Sequence, residues 1–159
     1  MDGMEKCEII SDELRGLIIA EPKTMSRKDF MADLKPRDEL YLTKNVTLNC
    51  SKYPCQMKIR QNIDNPLNFS VILVYRSSII VRYNGYHGSH TNRLEKTRVS
   101  GPHIHTITER YQLRTQRPDG YAEETDRYTD LNTAINEFIK DMNITIEGLE
   151  NTRSIDDYA

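Results

Sequence analysis

The sequence predicts an α+β domain in which an antiparallel β-meander sheet is covered by N-terminal helices and by one C-terminal amphipathic helix. Two helix-start signals open the chain, alternating apolar residues fill its middle, and an apolar stripe with helical spacing lies near its end. A chain of 159 residues without internal repeats has the size of one domain. We therefore predict a single domain over residues 1–146 and a polar tail over residues 147–159.

Residues 1–37 form the predicted helical part. Ser11 precedes two acidic residues and then apolar residues at helical spacing, and Pro22 ends that pattern. Ser26 opens a second, shorter helix, because an acidic residue follows it at the spacing of a capping box and Pro36 stops the helix. We expect both helices to pack on the sheet that follows.

Residues 38–113 change to the alternation that is typical of strands with one buried face. Short alternating runs are separated by turns such as the one at residues 76–78, which predicts consecutive antiparallel strands. The last of these strands is expected to run from His103 to Leu113. The other predicted strands cover residues 40–48, 57–63, 69–75 and 79–83.

The C-terminal helix is predicted over residues 129–143. Its apolar side chains recur at intervals of three and four residues, which is the pattern of an amphipathic helix. The stripe consists of Leu131, Ala134, Ile135, Phe138, Ile139 and Met142. This helix should cover one face of the sheet.

Composition predicts a cytoplasmic protein without a membrane partner. No apolar run approaches the roughly 20 residues that cross a bilayer, and the charged N-terminus lacks the apolar segment of a signal peptide. The three cysteines, Cys7, Cys50 and Cys55, are expected to stay free thiols in a reducing compartment. A zinc ribbon is excluded, because it needs a second pair of cysteines.

Charge is segregated along the chain. Residues 41–117 carry 12 basic and 3 acidic side chains, a net charge of +9. Residues 1–40 carry a net charge of −3, and residues 118–159 a net charge of −8. A basic block between acidic flanks is suited to bind an anion, nucleic acid above all. The alternative is that the acidic C-terminal part folds back and neutralises the basic block within the domain.

The histidines are the most informative feature of the basic block. All four fall within nineteen residues, at His87, His90, His103 and His105. Side chains two apart in a strand point the same way, so His103 and His105 should share a face. If the preceding strand pairs with this one, Arg82 and Asn84 would lie across from them. The glycine-containing loop between the strands would bring His90 back over the same patch.

Two chemistries follow from clustered imidazoles. His90, His103 and His105 could serve as general acid and base, with Arg82 stabilising a charged phosphorane, which would be metal-free RNA cleavage. No cofactor is expected for that reaction. Alternatively, the same three histidines could bind a divalent transition metal, since imidazole suits Zn, Fe, Ni and Cu.

A third chemistry is binding of phosphates and bases without a reaction. The residues predicted for this role are Asn84, Asn92, Arg76, Arg98 and Arg110. The interpretation without any function is a polar strand face that is exposed to water. Clustering of every histidine inside one basic block weighs against it.

From Lys58 to Ile144 the chain resembles a family of small bacterial and mobile-element proteins without an assigned activity. It is also broadly similar to the TumE-like toxins of toxin–antitoxin systems, which carry an arginine, an aspartate and a late His-x-His. The matching residues are Arg82, Gly88, His90, Asn92, Pro102, His103, His105, Ala122, Phe138, Asn143 and Ile144. The chain departs from the family at Asn84, where the family has an acid, and at Ile107, where it has an aromatic residue.

The resemblance implies a nucleic-acid-directed protein, in its most specific form a toxin-type ribonuclease whose partners would be RNA and an antitoxin. The first alternative is a non-enzymatic inhibitor from a mobile element, which would bind a host or phage-defence protein through its acidic face. The second alternative is a metal-binding enzyme with another substrate. The departure at Asn84 removes a carboxylate that a metal site would use.

Overall fold

The computed structural model describes residues 9–86 and 88–148 of the chain. Within these ranges the helices are α1 (Asp12–Ala20), α2 (Arg27–Met31), α3 (Glu109–Arg114) and α4 (Leu131–Asp141). The strands are β1 (Lys23–Met25), β2 (Lys35–Pro36), β3 (Tyr41–Thr47), β4 (Asn49–Cys50), β5 (Cys55–Asn62), β6 (Phe69–Tyr75), β7 (Ser78–Asn84), β8 (His90–Asn92), β9 (Thr97–Val99), β10 (His103–Thr106), β11 (Tyr121–Glu124) and β12 (Ile144–Ile146). His87, Cys7 and residues 149–159 of the predicted tail lie outside the described residues.

Seven strands form one antiparallel sheet in the order β11-β10-β7-β6-β5-β3-β2. Strands that follow one another in the chain are mostly neighbours in the sheet, so the predicted meander and the α+β class are confirmed. A small second sheet has the order β12-β1-β4, and in it β12 runs parallel to β1. Strands β8 and β9 form a separate hairpin.

The core lies between the large sheet and the helices. In β6 the side chains of Phe69, Val71 and Leu73 are fully buried toward this core, as the alternation predicts. The stripe of α4 packs against them, and the ring of Phe138 lies 5.3 Å from that of Tyr83 on β7. Apolar residues of α1 and α2 belong to the same core. The predicted covering of the sheet by N-terminal and C-terminal helices is therefore confirmed.

The helix starts follow the capping signals in the sequence. The side chain of Ser11 accepts a hydrogen bond from the backbone of Leu14 at 2.9 Å, and Ser26 caps α2 in the same way. Helix α2 ends at Met31, earlier than expected, because the segment before Pro36 becomes strand β2 and pairs with β3.

The predicted strand from His103 to Leu113 is wrong in its second half. Strand β10 ends at Thr106, and Thr108 then caps helix α3 by accepting a hydrogen bond from the backbone of Tyr111 at 3.1 Å. The side-chain amide of Gln112 exchanges two hydrogen bonds with the backbone of Ile10, which holds α3 beside the start of α1. A threonine cap and tertiary contacts thus outweigh the strand-like alternation.

None of the helices in the described part of the chain is long and apolar enough to cross a membrane. Cys50 and Cys55 are free thiols, as expected. Burial raises the pKa of Cys55 to about 12. Its thiol therefore stays protonated and unreactive at neutral pH.

Candidate functional site

The face of the large sheet opposite α4, called the polar face here, carries the residues that could bind or react. Strand register aligns the alternate side chains of five strands into two rows across this face. The first row is Thr43, Arg60, Ser70, Asn84 and His103, and the second is Asn45, Lys58, Ile72, Arg82 and His105.

Three of the four histidines meet at one end of these rows. Strand β10 places His103 opposite Asn84 and His105 opposite Arg82, which is the pairing that the sequence predicted. Strand β8 brings the ring of His90 to 4.6 Å from that of His105 and 6.1 Å from that of His103. His103 and His105 are themselves 5.0 Å apart, and we call these three residues the histidine cluster.

Backbone carbonyl groups fix the orientation of each imidazole in the cluster. His103 Nδ1 lies 2.8 Å from the carbonyl oxygen of Gly101, and His105 Nδ1 lies 2.8 Å from that of Asp119. His90 Nε2 contacts the carbonyl oxygen of Gly120. Because a carbonyl oxygen only accepts hydrogen bonds, each of these ring nitrogens carries the hydrogen.

Two members of the histidine cluster, His103 and His105, are buried and His90 is half-buried, so the alternative of a strand face exposed to water does not hold for His103 and His105. His103 is 0% exposed and His105 is 1% exposed, because the β8–β9 hairpin folds over this end of the sheet. Desolvation by burial lowers the pKa of His103 below its ordinary value and lowers the pKa of His105 to about 3. Both imidazoles are therefore neutral at physiological pH.

A chain of hydrogen bonds connects His103 to the open part of the polar face. The Nη2 atom of Arg60 lies 3.4 Å from Ser70 Oγ, and that hydroxyl donates to Asn84 Oδ1 at 2.6 Å. The Nδ2 atom of Asn84 lies 3.5 Å from His103 Nε2. Asn84 is buried and engaged on both sides. Its amide therefore orients the histidine instead of facing a ligand.

Arg82 forms an ion pair with the carboxylate of Asp119, a residue that the sequence did not single out. Its Nη2 atom lies 2.7 Å from Asp119 Oδ2, and Arg117 approaches the same carboxylate at 3.7 Å. The backbone oxygen of Asp119 also accepts from His105. Asp119 therefore joins the arginine and histidine parts of the site. Its position in a loop, thirteen residues after β10, gave no signal of this role.

Asn92 ties the hairpin to the edge of the sheet. Its Oδ1 accepts from the backbone nitrogen of Ala122 at 2.8 Å, and its Nδ2 donates to the backbone oxygen of Ala122 at 2.8 Å. The side chain thereby satisfies two backbone groups of edge strand β11. Both atoms of the amide are occupied, so Asn92 holds the structure around the histidines.

The three other predicted phosphate ligands lie away from the histidine cluster. Arg110 forms an ion pair with Glu95, and Arg98 is exposed on β9. Arg76 lies in the turn between β6 and β7, at the end of β7 remote from Asn84. There it lines a shallow cavity of about 390 Å³. The other residues that line this cavity are Thr47, Pro54, Cys55, Gln56, Lys58, Val74 and Ser77.

The structure also bears on the alternative of a metal site. Among residues 9–86 and 88–148, no group of three or more histidine, cysteine or acidic side chains is arranged to hold a metal ion. His103 Nε2 faces the Asn84 amide. Within the described part of the chain, the three rings are thus close together without forming a ligand set for a metal ion.

Three basic side chains of the polar face were not singled out from the sequence: Lys35 on β2, and Lys58 and Arg60 on β5. Together with the predicted Arg82 on β7, we call them the basic patch. In strands β2, β3, β5, β6 and β7 no acidic side chain points to this face. The signal was present in β5, where the polar side chains of Gln56, Lys58, Arg60 and Asn62 alternate with apolar ones.

An aromatic ring lies within the basic patch. Tyr41 shares the polar face with Thr43, and the guanidinium of Arg60 lies 4.8 Å from the centre of its ring. The guanidinium of Arg37 lies 5.3 Å from the same ring. Cations and an aromatic group are therefore in contact at the β3 side of the sheet.

No protein-family model, curated protein or solved structure matches this chain. The resemblance to the TumE-like toxins accordingly stays a prediction from the motif. The chemistry of the polar face is the basis on which a function can be argued.

Proposed function

We propose that this protein binds nucleic acid, with RNA as the expected form, across the polar face of its large sheet. The observation that carries the proposal is the basic patch: Lys35, Lys58 and Arg60 share a face to which strands β2, β3, β5, β6 and β7 direct no acidic side chain. Arg82, the fourth member, is paired with Asp119 from the loop before β11. Unbalanced positive charge on one surface is the footprint of a protein that binds the phosphate backbone.

Spacing supports a polymer as the ligand. Lys35 and Arg60 flank Thr43 on adjacent strands, so their backbones are separated by about two strand spacings, or roughly 10 Å. Arg60 lies two residues along β5 from Lys58, and Arg76 extends the positive surface to the turn. Cations distributed over several strands can contact successive phosphates, whereas a single small anion would engage only part of them.

We propose binding without a catalytic step. The toxin-type ribonuclease that the motif predicts needs one charged and one neutral imidazole, whereas burial keeps two of the three predicted acid–base residues, His103 and His105, neutral near pH 7. Arg82, the predicted phosphorane-stabilising group, is paired with Asp119. These two observations favour a binding surface over a cleaving site.

The proposal can be tested by measuring the affinity for a fluorescently labelled 12-nucleotide RNA by anisotropy at several salt concentrations. The double variant Lys58→Glu, Arg60→Glu should lose at least tenfold in affinity. The slope of its log affinity against log salt concentration should become shallower by the amount that about two phosphate contacts contribute. The matched control is Arg27→Glu, Lys28→Glu, which makes the same charge change at exposed positions of α2.

The control variant should bind RNA with an affinity within about threefold of the unaltered protein, since screening weakens the effect of distant charges. Absence of RNA binding by the unaltered protein at low salt would overturn the proposal. Equal losses of RNA affinity in both double variants would also overturn the proposal, because RNA binding would then depend on the net charge of the protein and not on a defined surface.

A further inference from the structure

Arg60 is a half-buried cation on the polar face that has no acidic partner. Within the residues that the structure describes, its guanidinium forms no ion pair, and its Nη2 atom lies 3.4 Å from the neutral hydroxyl of Ser70. Desolvation by burial lowers the pKa of Arg60 below its ordinary value, and the nearby guanidinium groups of Arg82 and Arg37 lower it further. An anion beside Arg60 would offset both effects.

Arg82 lies across strand β6 from Arg60. The backbone of Arg60 is opposite that of Ser70 on β6, and Arg82 is opposite Ile72, two residues further along the same strand. All four side chains belong to the polar face, because residues two apart in a strand point the same way. Since repulsion by Arg82 acts on Arg60, the two guanidinium groups lie near one another above β6.

Each of these two arginines carries a buried donor that lacks an acceptor. The Nε atoms of Arg60 and Arg82 are both buried, and neither has a hydrogen-bond partner in the described part of the chain. Buried donors of this kind are uncommon in proteins, and a bound ion is one of the groups that satisfy them. Two such donors on neighbouring guanidinium groups indicate a site for an anion.

The carboxylate of Asp119 does not neutralise this pair of arginines. It contacts Arg82 at 2.7 Å and Arg117 at 3.7 Å, so one negative charge is shared between two guanidinium groups. The guanidinium groups of Arg60, Arg82 and Arg117 thus have one carboxylate among them, which leaves a net charge of +2. The Nε–H group of Arg82 stays without an acceptor although its Nη2 atom is paired.

We propose that one phosphate group of the bound nucleic acid lies between Arg60 and Arg82 and accepts hydrogen bonds from both. This inference rests on the proposed function and assigns one phosphate contact within the basic patch. The oxygen atoms of a phosphate group are arranged tetrahedrally and can accept from two guanidinium groups that come from different strands, whereas those of a carboxylate lie in one plane. A free phosphate ion has the same chemistry, so inorganic phosphate is a probe of the site.

The test replaces Arg60 by lysine, which keeps the charge but loses the planar fork that holds a phosphate through two hydrogen bonds. The matched control makes the same replacement at Arg27, which is exposed on α2. In ~20 mM inorganic phosphate at constant ionic strength, the melting temperatures of the unaltered protein and of Arg27→Lys should rise by about 3 °C, because a ligand of the folded state stabilises it. That of Arg60→Lys should rise by less than about 1 °C.

The affinity for RNA distinguishes a phosphate group in a strand from a free phosphate ion. Arg60→Lys should lose about tenfold in affinity for the labelled 12-nucleotide RNA, and Arg27→Lys should stay within about twofold of the unaltered protein. If inorganic phosphate stabilised only the unaltered and control proteins while all three proteins bound RNA equally, the site would take a free phosphate ion and the inference would be wrong.

A circular dichroism spectrum checks folding, and Arg82→Lys takes the place of Arg60→Lys if that variant is unfolded. A general effect of phosphate as a salt would raise all melting temperatures equally. Such equal rises, together with equal RNA affinities of the variant and the control, would overturn this inference and leave the proposed function intact. Absence of RNA binding by the unaltered protein at low salt would overturn the proposed function itself.

Discussion

The ammonium group of Lys23 lies 2.7 Å from the carbonyl oxygen of Met142, a residue 119 positions later in the chain that caps the C-terminal end of α4. The same ammonium lies 3.0 Å from the carbonyl oxygen of Ile19 and 2.8 Å from that of Glu21, at the end of α1. One buried cation therefore satisfies the orphan carbonyl groups of two helix ends. Desolvation lowers the pKa of Lys23, and its carbonyl partners hold the charge in place.

Lys23→Met should lower the free energy of unfolding by about 3 kcal/mol, because it leaves three carbonyl groups without their donor. Urea denaturation followed by circular dichroism measures the change. The matched control is Lys28→Met on the exposed side of α2, with an expected effect within about 0.5 kcal/mol. Similar effects at both positions would show that Lys23 does not join the two helices.

Stability should fall as the pH is lowered below about 6.5, the ordinary pKa of histidine. Burial lowers the pKa of His105 to about 3 in the folded protein. Between these two values the unfolded chain takes up a proton that the folded protein does not. Each such histidine makes the free energy of unfolding fall by up to about 1.4 kcal/mol per pH unit on acidification. His103, whose pKa is lowered for the same reason, adds to the effect.

The contribution of His105 can be isolated with His105→Asn. An asparagine amide can still donate to the carbonyl oxygen of Asp119 but does not titrate. The variant should be less stable than the unaltered protein at pH 7, and the difference should shrink between pH 6.5 and 5. Carboxylates contribute equally to both proteins and cancel in the comparison. Parallel pH curves for the two proteins would mean that His105 titrates normally.

Local patterns in the sequence were sufficient to predict the meander and the pairing of the central strands. Alternation placed Phe69, Val71 and Leu73 in the core, and the offset of two residues put His103 across from Asn84. Period-two geometry determines such relationships once neighbouring strands pair.

Burial of His103 and His105 could not be predicted in the same way. It depends on the β8–β9 hairpin, whose strands have only three residues each and are held over the sheet by the contact of Asn92 with Ala122. Helix α3 and the carboxylate of Asp119 likewise take their places through contacts with distant parts of the chain. Tertiary interactions of this kind leave little local pattern in the sequence from which they could be predicted.

Asn92→Asp should lower the free energy of unfolding by about 2 kcal/mol. A carboxylate can still accept from the nitrogen of Ala122, but it cannot donate to the carbonyl oxygen of that residue and repels it. The control is Asn65→Asp, at an exposed turn position. Thermal melts give the stability of both variants. Hydrogen exchange should in addition show that the amide of Ala122 loses protection only in Asn92→Asp.

Two glycine substitutions should change stability in opposite directions. Gly16 lies within α1 with nothing within 4 Å of an added Cβ, so Gly16→Ala should raise the free energy of unfolding by about 0.5–1 kcal/mol. At Gly85 the added carbon would meet the carbonyl oxygen of Leu67 at 2.3 Å.

Gly85→Ala should therefore lower the free energy of unfolding by about 3 kcal/mol, a cost at the upper end of overpacking in a core. Neither neighbour of the new methyl group can move freely, because the Leu67 carbonyl accepts a hydrogen bond from Tyr86 and the ring of Phe69 is fully buried. Urea denaturation of both alanine variants provides the comparison. If Gly85→Ala were as stable as the unaltered protein, the sheet end would be pliable, and the close contact that positions Tyr86 would not constrain it.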